Sequence, residues 1–195
     1  MEESDSAGTA PGFKDRMNQL YLSIILRYSS YIESKENLSV AELPTLVTPN
    51  STAVSEISEQ IKGDNYSYES SFYDASVRSL EFVKTEIDDV FLPVQFWILP
   101  DETLKFRLGD QVDKNILLCS ILIKLGNPST KVLIFIGEDS RKSYVYYEFN
   151  EGVYLLDLTD NIKLFKNKEE MFKGIGISED TTAYEFNDKM FIDIS

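Results

Sequence analysis

The period of the apolar residues changes once along this chain, and no other feature limits the fold as strongly. In the first half the period is helical. Met17, Leu20, Tyr21, Ile24, Tyr28, Tyr31 and Ile32 recur at three- and four-residue steps, and Tyr73, Val77, Leu80, Val83, Ile87 and Val90 form a second stripe. Beyond residue 126 the period is two: KVLIFIG, KSYVYYEFN, GVYLLDL, TAYEF and KMFIDI alternate over strand-like lengths. Helices in one half and strands in the other predict an α+β fold, with helices packed on a C-terminal antiparallel sheet.

The punctuation between these segments sets finer boundaries. Residues 1–12 are small and polar and read as a flexible tail, leaving residues 13–195 as one domain whose part 13–90 is helical. Residues 36–51 carry Pro44 and Pro49 and read as a connection, followed by a short helix from about Thr52 to Lys62. The second long helix is expected from about Ser70 to Val90. FLPVQFWILP, bounded by prolines, reads as an extended strand or packed loop. A chain of 195 residues with 43% hydrophobic content supports one sizeable core rather than two.

Charge and two scarce residue types exclude several functions. A net charge of −14 leaves too few cations to replace the counterions of a nucleic acid, so no nucleic-acid partner is expected. No segment has the apolar length of a membrane span, and MEESDSAGTAPGF lacks the basic start and apolar run of a secretory signal. A soluble cytoplasmic location is the expectation. The chain has no histidine and a single cysteine, Cys119. No disulfide can close within it, a tetrahedral Cys/His zinc site lacks ligands, and a Ser-His or Cys-His pair lacks its base. Neither a metal nor another cofactor is expected.

The segment GDQVDKNILLCSILIKLG, residues 109–126, has the form of a buried helix with chemistry at its first turn. Asp110 is a plausible N-cap, and Asp113 three residues on completes a capping-box-like start. Gln111 is then the first helical residue, beside unpaired backbone N–H groups and the positive end of the dipole. It shares a face with Asn115, Leu118 and Leu122, which points it to the junction of helix and sheet. Cys119 lies two turns further on among Leu118, Ile116 and Ile123, where a small buried hydrophobe is expected.

YVYYEFNEGVYLLDL reads as two strands joined at Glu151–Gly152. A two-residue loop there pairs Asn150 with Val153, sets Tyr146 opposite Asp157 and leaves Tyr144 diagonal to Asp157 on one face. A three-residue loop instead sets Val145 opposite Asp157 and moves Tyr144 to the other face. Core packing is the alternative use of Tyr144, Tyr146 and Tyr147, and a strand-end carboxylate that of Asp157.

Together these pieces resemble the transglutaminase-like superfamily, which has the papain-like cysteine-protease fold. Its nucleophile region is close to G-D-C-x-D-x-x-x-L-L before a leucine-rich helix and a glycine. Gly109, Asp110, Asp113, Leu117, Leu118, Leu125 and Gly126 fit that pattern, with Gln111 in place of the cysteine. YVYYEF resembles the H-x-W-x-E strand, with Tyr144 at the histidine position, Tyr146 at the tryptophan and Glu148 retained. LLDLT carries Asp157 at the aspartate position. The resemblance covers about residues 91–160. It implies a degenerate member that lacks the catalytic cysteine and histidine and keeps only the aspartate, in which Gln111, Tyr144 and Asp157 can form a neutral amide–phenol–carboxylate chain.

The expected function is that of a pseudoenzyme, a protein-binding or scaffold module contacting an unidentified protein partner through the former substrate groove. One alternative is a hydrolase using carboxylates, or a metal ion held by them, among Asp110, Asp113, Glu148 and Asp157. Another is a structural subunit that meets its partners through the N-terminal helices. The sequence does not fix the oligomeric state.

Overall fold

A computed structural model describes residues 11–34, 40–91, 97–136, 141–178 and 181–194. Six helices, a short 3₁₀ segment and eight strands appear among these residues. Helix α1 (Phe13–Ser34) is followed by the 3₁₀ segment Val40–Leu46, so the proline-bearing connection is partly helical. Helix α2 (Thr52–Lys62) has the expected bounds. Ser51 accepts a hydrogen bond from the Val54 N–H at its start, and Gly63 leaves it with φ +69°.

Helix α3 (Tyr68–Glu86) starts two residues before its expected start and ends four residues before its expected end. Its buried face is Phe72, Ala75, Ser76, Ser79, Leu80 and Val83, whereas Tyr73 and Val77 are exposed. The reading favoured the larger side chains of two neighbouring stripes. The true one is built on small residues that let α3 approach the sheet, where Ser76 meets the Tyr147 hydroxyl at 2.7 Å. Past α3 the chain turns into β1 (Asp88–Asp89), which pairs in parallel with β2 (Leu108–Gly109).

Of FLPVQFWILP, residues 92–96 lie outside the described residues, as do residues 1–10 of the expected tail. The second proline of that segment opens a helix. Pro100 is the first residue of α4 (Pro100–Phe106), where its missing N–H costs nothing, and the Glu102 carboxylate accepts the Leu99 N–H at 3.1 Å.

Helix α5 (Gln111–Lys124) is the axis of the domain: every residue from Val112 to Leu122 is buried. Each fully buried Leu or Ile there contributes about 1.5–3 kcal/mol of hydrophobic stabilisation. α2, α3 and α4 pack on one side of it and the sheet on the other. The sheet has strand order β6-β5-β4-β3-β7-β8 and is antiparallel throughout. Its strands are β3 (Lys131–Ile136), β4 (Arg141–Phe149), β5 (Gly152–Leu156), β6 (Ile162–Phe165), β7 (Ala183–Phe186) and β8 (Phe191–Asp193).

Both sheet faces are covered. Val132, Ile134, Val145, Tyr147, Leu156 and Phe186 face α5 and its neighbours. Leu133, Phe135, Tyr146, Val153, Leu155 and Ala183 pack on the opposite face with Met171 of α6 (Lys168–Ile175). Beneath α6 the fully buried Glu185 carboxylate meets Lys131 at 3.0 Å, Lys168 at 2.7 Å and the Tyr146 hydroxyl. Burial raises that carboxyl, but hydrogen bonds from Lys168, Tyr146 and Lys131 outweigh burial and hold it below its ordinary range.

Candidate functional site

Asp110 opens α5 by accepting the N–H groups of Val112 at 2.8 Å and Asp113 at 2.9 Å. Asp113 returns the bond, accepting the Asp110 N–H at 3.0 Å with one oxygen and the Ile98 N–H at 2.9 Å with the other. The capping box expected from sequence is therefore present, and it also ties α5 to the segment entering α4. Asp113 is fully buried, and burial, reinforced by the Asp110 carboxylate, raises its carboxyl well above the ordinary range.

Gln111 is the first residue of α5 and is exposed. Its side-chain amide donates a long hydrogen bond of 3.5 Å to the Ser143 carbonyl on β4. One turn deeper, Asn115 Nδ2 donates to Ser143 Oγ at 2.9 Å, while Asn115 Oδ1 is buried and accepts no hydrogen bond. The β4 side chain that looks at the start of α5 is thus Ser143. Tyr144 points to the opposite face, where its ring stacks on Phe135 at 6.0 Å.

The hairpin register explains this placement. Phe149 pairs with Gly152, so the two-residue loop is Asn150–Glu151, with φ of +47° and +61°, and the pairing slips by two residues from the expected one. A two-residue slip preserves faces. Val145 pairs with Leu156, and continuing that register sets Tyr144 directly opposite Asp157. Burial raises the Tyr144 hydroxyl and the Asp157 carboxylate raises it further, with Lys163 acting against both. Tyr144 and Asp157 are neighbours, and Tyr144 lies on the sheet face away from Gln111. The hydrogen bonds of the described residues do not form the amide–phenol–carboxylate chain. Asp157 instead closes a turn, accepting the Thr159 N–H at 2.8 Å and hydroxyl at 2.7 Å.

Gln111 opens onto a cleft of about 310 Å³, lined also by Lys84, Asp89, Lys114, Leu158 and Thr159. Lys114 is almost fully buried and reaches Asp89 at 2.6 Å, and Lys84 donates to the Asp160 carbonyl at 2.8 Å. The turn after β5 and the strand β1 therefore wall the start of α5. Neither Lys84 nor Lys114 stood out in the sequence. The signal for Lys114 is its position three residues after Gln111, one turn along α5.

Cys119 is fully buried, its thiol pushed far up by burial, and it lies away from the cleft. Glu148 is exposed on β4, and Asp110 and Asp113 are occupied by capping. Among the described residues no three or more Asp, Glu or Cys side chains come together as a metal-binding group. No described helix is long and apolar enough to cross a membrane.

No protein-family model matches the chain, and no curated protein matches it. Solved structures do. LapG from Legionella pneumophila, treated with EGTA, superposes with a TM-score of 0.53 at 15% identity, covering 81% of this chain and 87% of that one. The calcium-bound form gives 0.45 at 15% identity, with 72% and 86% covered. A chain from Cytophaga hutchinsonii, described as a candidate cysteine protease, gives 0.45 at 11% identity, with 82% and 55% covered. The architecture and the EGTA-treated LapG likeness together make this an α+β domain of the transglutaminase-like, papain-like fold.

Proposed function

We propose that this chain is a catalytically inactive transglutaminase-like domain that binds a protein partner through the cleft at the start of α5. One observation carries the reading: the helix start that would present a nucleophile presents Gln111, and the facing strand presents Ser143, in a chain without histidine. An amide cannot form an acyl-enzyme, and the buried Ser143 hydroxyl accepts from Asn115 in a chain that has no histidine to activate it. Loss of nucleophile and base removes the covalent route as a unit.

The cleft keeps what recognition needs. It has a concave wall, two lysines, a carboxylate, an amide, and the apolar Leu158 at its edge. Of the carboxylates considered for hydrolysis, Asp110 and Asp113 are engaged as caps, Asp157 closes a turn, and none of the four, the exposed Glu148 included, lines the cleft, which favours the binding reading over the hydrolase one. A cytoplasmic location accords with the single free cysteine.

Affinity capture from the native cell extract tests this, comparing the natural chain with Gln111→Trp. The position is exposed, so the indole fills the cleft mouth without disturbing the core. A specific partner retained by the natural chain and lost by the variant is expected. Equal retention by both overturns the cleft as the contact surface. Acyl transfer or peptide hydrolysis that co-purifies with the chain and disappears in Gln111→Ala overturns the inactive assignment.

A further inference from the structure

Helix α1 carries apolar residues on more sides than its own domain covers. Leu20, Ile24 and Tyr28 are buried against Val90, Ile98, Phe106 and Leu108. On the other side Tyr21 is 36% exposed, Leu22 61%, Ile25 55% and Leu26 76%. At 100° per residue these four span about 140° of the helix surface. From residue 17 to residue 26 there is no charged side chain, in a protein of net charge −14. A helix that is apolar all round is ordinarily a buried helix. Its middle two turns are therefore built to be covered on both sides.

We propose that the outward face of α1 binds a second copy of this chain, forming a weak two-fold dimer through antiparallel contact of the two α1 helices. Three features favour a copy over a different partner. The face is uncharged, so it selects no partner by charge complementarity and is compatible with itself. A two-fold axis midway between Leu22 and Leu26, at the level of residue 24, brings Leu22 of one chain against Leu26 of the other and leaves the two Ile25 side chains close to the axis, which is the self-complementarity an isologous contact requires. The four side chains expose roughly 400 Å² per chain, so two such faces with their polar rim bury on the order of 1,000 Å², the lower limit of a specific interface. The contact is consequently reversible at micromolar concentration. Two strongly acidic copies repel one another, so salt tightens the dimer by screening, the opposite of what a charge-paired contact does. This surface does not use the cleft, and it stands or falls separately from it.

Sedimentation equilibrium of the full chain, over roughly a hundredfold range of concentration and at low and high salt, tests the proposal. A monomer–dimer equilibrium that strengthens with salt is expected. Leu26→Glu should weaken it by about tenfold or more while leaving the melting temperature unchanged, because the replaced side chain is already largely exposed. Ile25→Cys should be trapped as a disulfide-linked dimer under mild oxidation, while Lys189→Cys, exposed elsewhere, is not. That trapping decides the matter alone if Leu26→Glu fails to fold. A chain that stays monomeric throughout overturns the proposal, as does a dimer that ignores Leu26→Glu and leaves Ile25→Cys untrapped. A monomer that co-sediments with phosphatidylcholine vesicles also overturns it, assigning the face to a lipid surface instead.

Discussion

Placing a thiol at residue 111 and an imidazole on β4 reports directly on which β4 side chain faces α5. The perturbation is Gln111→Cys, alone, with Ser143→His, or with Tyr144→His, all carrying Cys119→Ala so that one thiol is read. Gln111 already reaches the Ser143 carbonyl at 3.5 Å, and the Ser143 side chain points to Asn115. An imidazolium introduced at residue 143 would lie about 4–5 Å from the thiolate. At an effective dielectric of about 20 that attraction is roughly 3–4 kcal/mol, and solvent at the cleft mouth reduces it to about 2–3 kcal/mol. The helix dipole alone contributes about 0.3–1 kcal/mol.

The pH at which alkylation is half-maximal should therefore fall by about 0.2–0.7 pH unit from the free-thiol value of about 8.5 in the single variant. With Ser143→His it should fall by roughly 1.5–2 more. With Tyr144→His it should match the single variant, since that ring stacks on Phe135 behind the sheet. Alkylation by iodoacetamide across pH 5 to 10 reads all three. A lowered midpoint with Tyr144→His, and none with Ser143→His, would refute the placement of β4 against α5.

Three further outcomes follow from buried groups. Glu185→Gln leaves Lys131 and Lys168 without their carboxylate and should cost about 3–5 kcal/mol near neutral pH by urea unfolding. Because the native Glu185 carboxyl is held below its unfolded value, that stabilisation is complete above the unfolded value of about 4.3 and is lost as pH falls through the native one. The gap between variant and natural chain should thus narrow as pH falls below the unfolded value of about 4.3, and a constant gap would deny the ion-pair origin. Asp113→Ala strands the N–H groups of Ile98 and Asp110, and should lower stability by about 2–5 kcal/mol, against near neutrality if those bonds were dispensable. Cys119 should resist alkylation in the native chain and react readily in denaturant, and prompt native labelling would contradict its burial.

What was legible in the sequence divides along physical lines. Helix α2, expected at about Thr52 to Lys62, has those bounds, with Ser51 capping its start and Gly63 ending it. The start of α5 was legible for the same reason, through Asp110 and Asp113. The hairpin was found but slipped by two, because Glu151 adopts a left-handed conformation that its residue type does not advertise, beside Asn150, whose type does. The orientation of β4 was not legible. Alternation reveals a buried face only when the other face is wet, and here Val145 and Tyr147 lie on one side while Tyr146 is fully buried on the other. Helix α6 escaped because it is one short amphipathic stretch, although Asn167 followed by Glu170 marks its start, with Asn167 accepting the Glu170 N–H at 2.8 Å.

The residues of segment 109–126 that fit the family pattern each have a structural task. A Cβ on Gly109 would come within 3.2 Å of Asp113 Cβ and 3.3 Å of Thr103 Cγ2, so glycine is what lets β2 pass the capping box. Asp110 and Asp113 satisfy four backbone N–H groups between them. Leu117, Leu118 and Leu125 are buried in the central cluster. Gly126 leaves α5 at φ +111° against the ring of Tyr68, a conformation a side chain would strain. A pattern made of such residues persists wherever the frame persists, because removing any of them unsettles the start or the end of the buried helix. It follows that the motif reports the fold and is silent about the reaction. The positions the frame leaves free are residue 111 at the exposed helix start and residue 143 facing it, and there the chain carries an amide and a hydroxyl.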